Sequence, residues 1–355
     1  MFDTKLFASR LSGITPYNVD TQKYKVRLDA NESFIQVPEK LREKLKNALS
    51  DFEFNRYPDP DASALTSAFC KYYGLSGDCV AVGNGSDEII SILMNCFADF
   101  GSAVMVFDAD FSMYAFYASL AGCRVIKCPK SADLQIDFDL AQKTIKQNGI
   151  RLCIFSNPCN PTGKIESKAD ITRLAQSCPE TLFVSDEAYM DFSKKDESFL
   201  SETEKYPNII VLKTMSKALG CASLRLGFII SDDTFTRMFK AAKSPYNVNG
   251  ISQKFGEIVF SEKQLLRQST SDIINSTENL EKGIADINIF KTDDTYTNFV
   301  FAQNPRVKEI FENLKQKSIL VRYFDIQGGS LRICAGTDEE NKTLINALKE
   351  EAAKQ

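Results

Sequence analysis

The stretch TMSKALGCASLRLGF, residues 214–228, decides how the rest of the chain is read. Lys217 has Ser216 beside it, Thr214 three residues before it and Arg225 eight after it, a grouping that suggests an amine held beside a bound phosphate. Residues 209–212, just upstream, form an unbroken apolar run and read as a buried strand. A lysine at the end of such a strand is either solvated surface or a functional amine, and lysines are rarely found among buried residues. A partly desolvated amine in that place could attack a carbonyl to form a Schiff base.

Moving outward, short apolar runs at 80–82, 104–107, 152–155, 182–184, 209–212 and 228–230 read as buried strands, most of them separated by long helical patterns. This alternation predicts an α/β fold with a mainly parallel sheet and helices on both faces. Functional groups should then gather at the carboxyl ends of the strands. After about residue 245 the texture changes. The break SPYNVNG leads into helical stretches through 251–286 and then strand-like segments at 298–302 and 330–335, which predicts a second, smaller α+β unit.

The 355 residues call for one large or two unequal domains. With 43 basic and 47 acidic residues the net charge is −4, and no basic run points to nucleic acid or a membrane surface. The ten cysteines contain no Cys-x-x-Cys pair and there is no histidine, so no metal site is expected and the thiols read as free, in a reducing cytoplasm. The segment MFDTKLFASRLSG lacks the apolar stretch of a signal peptide, and no window approaches the roughly eighteen apolar residues of a membrane span, so a soluble cytoplasmic protein is expected. Without histidine, proton transfer falls to lysine, tyrosine or carboxylates.

Three strand ends carry polar groups. In AVGNGSDEII (81–90) an apolar strand runs through glycines into an apolar-periodic helix. The amides of Gly85, Ser86 and Asp87 either cradle a phosphate on the helix dipole or form a tight turn with a capping side chain. A dinucleotide site is the rival reading, but Glu88 stands where its third glycine would be. In SNPCNPTGK (156–164) two prolines and a glycine force a rigid turn that leaves Asn157 and Asn160 pointing into a cleft. The next run ends in DEAY (186–189), with Asp186 and Tyr189 on one side. Asp186 is either a cap or salt-bridge partner, or a carboxylate that keeps a pyridine nitrogen protonated.

Taken together, Gly85, Ser86, Asn160, Asp186, Tyr189, Thr214, Ser216, Lys217 and Arg225 have the order and spacing of the cofactor site of fold-type I, class I/II aminotransferases, which the chain resembles. Within that superfamily the likeness is to the histidinol-phosphate aminotransferase family, over nearly the whole chain. TPY (15–17), LDANES (28–33), RYPD (56–59), GNGSDE (83–88), NPTG (160–163), DEAYMDF (186–192), SKALGCASLRLGF (216–228) and LRICAGT (331–337) carry it. The resemblance implies pyridoxal 5'-phosphate held by Lys217 as a Schiff base, with Lys217 then shuttling a proton. It puts Asp186 on the pyridine nitrogen and Asn160 and Tyr189 on the phenolate oxygen. Thr214, Ser216, Arg225 and the Ser86 and Asp87 amides would bind the phosphate, and Phe111 would stack on the ring. It also implies a homodimer in which Tyr57 reaches the other subunit's phosphate. Substrate contacts fall to Tyr17, Asn31, Arg322 and Arg332, the arginines taking the carboxylate of glutamate or 2-oxoglutarate in one half-reaction and the phosphate of L-histidinol phosphate in the other. The implied division is 1–44 as an arm and part of a small domain, 45–245 as the cofactor-binding domain and 246–355 as the small domain.

Three features depart from the family or are shared beyond it. Phe111 replaces the usual tyrosine, Arg322 and Arg332 are spaced more closely than in better-known members, and GNG and YPDP also occur in threonine-phosphate decarboxylases. That decarboxylase is the first alternative, an aromatic amino-acid aminotransferase of the same superfamily the next. A dinucleotide-binding oxidoreductase rests only on GNG after a strand, and a silent scaffold would leave every matched position idle.

Overall fold

Most strands in the first two thirds of the chain are buried on both faces, which is why they read as continuous apolar runs. The computed structural model describes residues 8–11 and 20–354. Tyr17 and the TPY motif lie outside the described residues. The strands are β1 Val26–Arg27, β2 Val80–Asn84, β3 Ala103–Phe107, β4 Arg124–Cys128, β5 Ile150–Ser156, β6 Leu182–Asp186, β7 Ile209–Thr214 and β8 Leu226–Ile230, followed by β9 Lys291–Thr292, β10 Phe299–Gln303, β11 Ile319–Leu320, β12 Arg322–Phe324 and β13 Ser330–Cys334.

Seven of them form one sheet in the order β2-β8-β7-β6-β5-β3-β4. The pairs from β7 to β4 are parallel, while β8 runs antiparallel to both β7 and β2. Successive residues of each strand feed opposite cores. Met105, Cys153, Phe155, Phe183, Val211 and Phe228 pack on one face, and Val104, Leu152, Ile154, Val184, Ile210 and Leu212 on the other. Covering both faces is the condition under which a parallel sheet is stable. The strand missing from the sequence reading is β4, RVIKC, an edge strand whose only buried residue is Cys128. An edge strand needs no apolar run and leaves little periodic signal.

The second sheet, in the order β12-β13-β10-β9, is antiparallel throughout. Its core joins Val300, Ala302, Leu331 and Ile333 to Leu280 and Ile284 of the helix Lys263–Ala285, to Leu344 and Leu348 of the helix Asp338–Ala352, and to Val26 and Leu28. Between the two sheets lies a fourth apolar cluster of Tyr189, Phe192, Ala218, Ile273 and Phe299. Among the described residues no helix is long and apolar enough to cross a membrane, no cluster of side chains could hold a metal ion, and all ten cysteines are free.

Candidate active site

Parallel pairing brings three strand ends together. Ser156, ending β5, is the register partner of Asp186, ending β6, and Asp186 is in turn the partner of Leu212, two residues before the end of β7. Asn160 and Lys217 follow within a few residues of those ends, so the sheet places them around one point.

Asp186 is the electrostatic centre. It is 5% exposed, and burial pushes its carboxyl up to about 6. Tyr114 opposes that rise by donating its hydroxyl to Asp186 Oδ2 at 2.7 Å, and the Ala188 amide donates to Oδ1 at 3.1 Å. Phe111 packs edge-on against the Tyr114 ring, centroids 5.4 Å apart. A second buried carboxylate, Asp110, receives the Phe111 amide at 2.7 Å and the Ser156 hydroxyl, and pairs with Lys130 at 3.5 Å. Ser156 Oγ in turn accepts the Asn160 amide at 3.0 Å.

The glycine turn after β2 is built for close approach. Gly85 has φ +83°, a conformation glycine adopts without strain, and it caps the helix Ser86–Cys96 without side-chain help. A Cβ on Gly85 would meet the Arg225 guanidinium at 2.6 Å, and one on Gly227 would meet the Gly85 carbonyl carbon and the Ser86 nitrogen at 2.5 Å. Arg225, itself at φ +51°, lies 3.2 Å from Asp87. Thr214 donates to Ser216 Oγ at 3.0 Å. Glu88, where a dinucleotide fingerprint would need glycine, instead accepts the Asn84 amide at 2.6 Å and the Asn247 side chain at 2.7 Å, tying the turn in place.

Lys217 Nζ donates to the carbonyls of Ala30 and Asn31, at 3.4 and 3.3 Å, and lies 5.8 Å from the centroid of the Tyr189 ring. Asn31, in the left-handed region at φ +53°, donates its side-chain amide to the Tyr189 hydroxyl at 2.9 Å. That leaves the phenol its own proton to donate. Arg332 donates to Asn160 Oδ1 and to the Asp29 carbonyl, both at 2.6 Å, while its Nε is buried with no partner among the described residues. Phe299 and Phe324 flank its guanidinium at 5.6 and 5.5 Å.

Arg322 is the register partner of Arg332 across β12 and β13. The ten-residue separation is a hairpin that sets the two cations opposite each other, and among the described residues Arg322 has no ion pair. Like charges directly across a sheet are unfavourable. Desolvation, with Arg322 adding to it, disfavours the Arg332 charge. An anion between them would relieve both effects.

The family model described as aminotransferase class I and II matches residues 23–348. This chain belongs to that family. A histidinol-phosphate aminotransferase of Clostridium novyi is 39% identical over 97% of each chain, and one of Caldanaerobacter subterraneus 32% identical over 97% of this chain and 98% of its own. The crystal structure of a Sinorhizobium meliloti histidinol-phosphate aminotransferase in complex with pyridoxal 5'-phosphate superposes with a TM-score of 0.90 at 22% identity, covering 100% of this chain and 99% of its own. An L-threonine-O-3-phosphate decarboxylase from Porphyromonas gingivalis has the same fold, with a TM-score of 0.79 at 19% identity over 92% and 99% of the two chains.

In this aminotransferase the cleft brings together Asn31, Phe111, Asn160, Asp186, Tyr189, Lys217, Arg322 and Arg332, with Gly85, Ser86, Asp87, Thr214, Ser216 and Arg225 at its glycine turn. Tyr57 stands apart, 82% exposed and stacked on Tyr246 at 4.7 Å. Asn157 does not point into the cleft. It is fully buried and clamps the backbone of Glu166, accepting the amide at 2.9 Å and donating to the carbonyl at 3.3 Å. The sequence reading missed Tyr114, Asp110 and Ser156. Asp110 follows an apolar strand, the one signal that could have marked it.

Proposed function

We propose that this aminotransferase carries out amino transfer between L-histidinol phosphate and 2-oxoglutarate, using pyridoxal 5'-phosphate, as the name of its 39% identical relative suggests. The observation that carries the reading is the facing pair Arg322 and Arg332 in the same cleft as Lys217. A fork of two arginines suits a carboxylate in one half-reaction and a phosphate in the other.

The residues fit the cofactor. Asp186 is a buried carboxylate without a cationic partner among the described residues, which a pyridinium would supply. Gly85 and Gly227 leave a backbone cradle that any Cβ would fill, with two hydroxyls and a guanidinium beside it. When bound, pyridoxal phosphate supplies an aldehyde that takes up the amino group and a ring that accepts electrons from the substrate carbon.

Lys217 Nζ, hydrogen-bonded to two carbonyls, takes and returns the proton at the substrate Cα. Asp186 would hold a proton on the ring nitrogen. Tyr189 and Asn160 would donate to the phenolate oxygen, Phe111 would cover the ring, and Arg225 would exchange Asp87 for the phosphate alongside Thr214, Ser216 and the Ser86 and Asp87 amides. Asn31 fixes the Tyr189 hydroxyl. Exposed Phe54, Tyr57 and Tyr246 form an aromatic patch suited to a homodimer interface, through which Tyr57 would reach the partner's phosphate site. The ten free thiols suit the cytoplasm. The same reading divides the chain at 44/45 and 245/246, with the cleft between the two larger parts.

The experiment is a visible absorption titration of the cofactor-loaded protein with L-histidinol phosphate alone. The band of the lysine-bound cofactor should disappear and return on adding 2-oxoglutarate. A band indifferent to histidinol phosphate, with carbon dioxide released from threonine phosphate, would replace this reading with the decarboxylase.

A further inference from the structure

Beneath the turn that carries Asn160, a lysine amine meets a cysteine thiol out of reach of bulk water. Lys130 Nζ lies 3.1 Å from Cys159 Sγ, with the lysine side chain 2% exposed and Cys159 1%. Among the described residues no other cysteine has a lysine within hydrogen-bond distance. The thiol also meets the Ala109 carbonyl at 3.4 Å and the Thr162 side chain, and the amine pairs with Asp110 at 3.5 Å. The two atoms come from different segments, one just after β4 and one from the turn after β5, so a bond between them would staple those segments together. None of the proposed catalytic steps uses either residue.

We propose that Lys130 and Cys159 are a covalent redox switch, in which an oxidant inserts one oxygen atom to form an Nζ–O–Sγ bridge. The amine reacts in its neutral form, its ammonium proton passing to Asp110 at 3.5 Å against the pull of the neighbouring Cys159 and Asp110, which outweigh desolvation and hold the Lys130 amine above its ordinary pKa. The amine and thiol then react with one molecule of dioxygen. One N–H and the S–H are broken, N–O and O–S bonds form around one oxygen atom, and the second oxygen atom leaves as water with the two hydrogens. Nitrogen and sulfur are each oxidised by two electrons and dioxygen takes up all four. Two molecules of hydrogen peroxide give the same bridge and three of water. Two equivalents of a dithiol supply the four electrons that return the amine and the thiol, with the bridging oxygen leaving as water.

The geometry favours this product over the usual course of thiol oxidation. An exposed cysteine climbs the ladder of sulfur oxyacids or meets a second thiol. Cys159 is closed to large reagents, but an amine is already in place to capture the oxidised sulfur. The bridge would also act on the active site. It removes the cation facing Asp110, which anchors Phe111 through its amide and Ser156 through its hydroxyl, and Ser156 positions Asn160. The oxidised enzyme should therefore be less active, and reduction should restore it.

The test uses the cofactor-loaded full-length protein, exposed to air or dilute hydrogen peroxide, digested without reductant and analysed by mass spectrometry. The expected species is the Lys130 peptide joined to the Cys159 peptide, about 14 Da heavier than their sum (one oxygen gained, two hydrogens lost), and split by dithiothreitol. Cys159→Ser and Lys130→Arg should each abolish it, the arginine keeping a cation beside Asp110 so that folding is preserved. The proposal is overturned if Cys159 stays unmodified, if it gains only oxygen atoms without cross-linking, if the joined species is lighter by about 2 Da as for a direct S–N bond, or if the cross-link persists in Cys159→Ser.

Discussion

Replacing Tyr114 by phenylalanine removes one hydroxyl from the wall behind Asp186 and leaves the ring packing intact. That hydroxyl donates to Oδ2 at 2.7 Å from a fully buried position. Desolvation raises the carboxyl to about 6, and the Tyr114 hydrogen bond is the largest influence in the opposite direction. A hydrogen bond to a charged group contributes about 1.5–3 kcal/mol, and about 1.4 kcal/mol corresponds to one pKa unit, so Asp186 in the cofactor-free variant should titrate between about 7 and 8. At neutral pH much of it would then be protonated and unable to pair with a ring N–H. Cofactor affinity at pH 7 should fall by up to about tenfold and recover toward pH 9, where the carboxylate is ionised in both proteins. The assay is titration of cofactor-free protein with pyridoxal phosphate by absorbance or fluorescence between pH 6 and 9, comparing the midpoints of the affinity profiles. Equal midpoints, with affinity lowered by the same factor at every pH, would refute the argument.

Lys217→Ala should abolish amino transfer, by at least about a thousandfold as expected when a covalent and proton-transfer group is lost, while still binding cofactor through the phosphate cradle; single-turnover assays and equilibrium binding would check it, and retained turnover would overturn the assignment. Arg332→Lys loses the fork that reaches both Asn160 and the Asp29 carbonyl, and should lower kcat/KM by about 10- to 100-fold, the equivalent of one charge-assisted hydrogen bond, mostly through KM. Burial raises Glu166 and Glu187 from 4.5 to about 7. A folded-state pKa above the unfolded one means a contribution that is fully present below about 4.5 and lost as pH rises through 7. The cofactor-free protein should therefore melt at a higher temperature at pH 6 than at pH 8, measured by scanning calorimetry; a lower melting temperature at pH 6 would count against the burial of both carboxyls.

Much of the site could be read from single segments. Lys217, Asp186 and Asn160 each follow an apolar strand, and the glycine turn at 83–85 is legible because strand, glycines and helix adjoin in the chain. The two-core sheet was visible for the same reason, since full burial writes itself as an apolar run. Edge strand β4 was not, because only Cys128 of its five residues is buried. The facing of Arg322 and Arg332 was not legible either, because it comes from antiparallel register between residues ten apart.

The sequence by itself determined the class of the sheet, the turn chemistry and the place of Lys217 just beyond a buried strand, because periodicity, glycine and proline act within a few residues. Only the tertiary structure decided who holds those groups. Tyr114 behind Asp186, Asn31 on the Tyr189 hydroxyl, Asp110 beneath Ser156 and Lys130 against Cys159 are contacts between segments tens of residues or more apart. Such pairs leave no local pattern, because they form when two sheets and their helices bury a shared apolar surface, and the polar groups swept into that interior must find partners there.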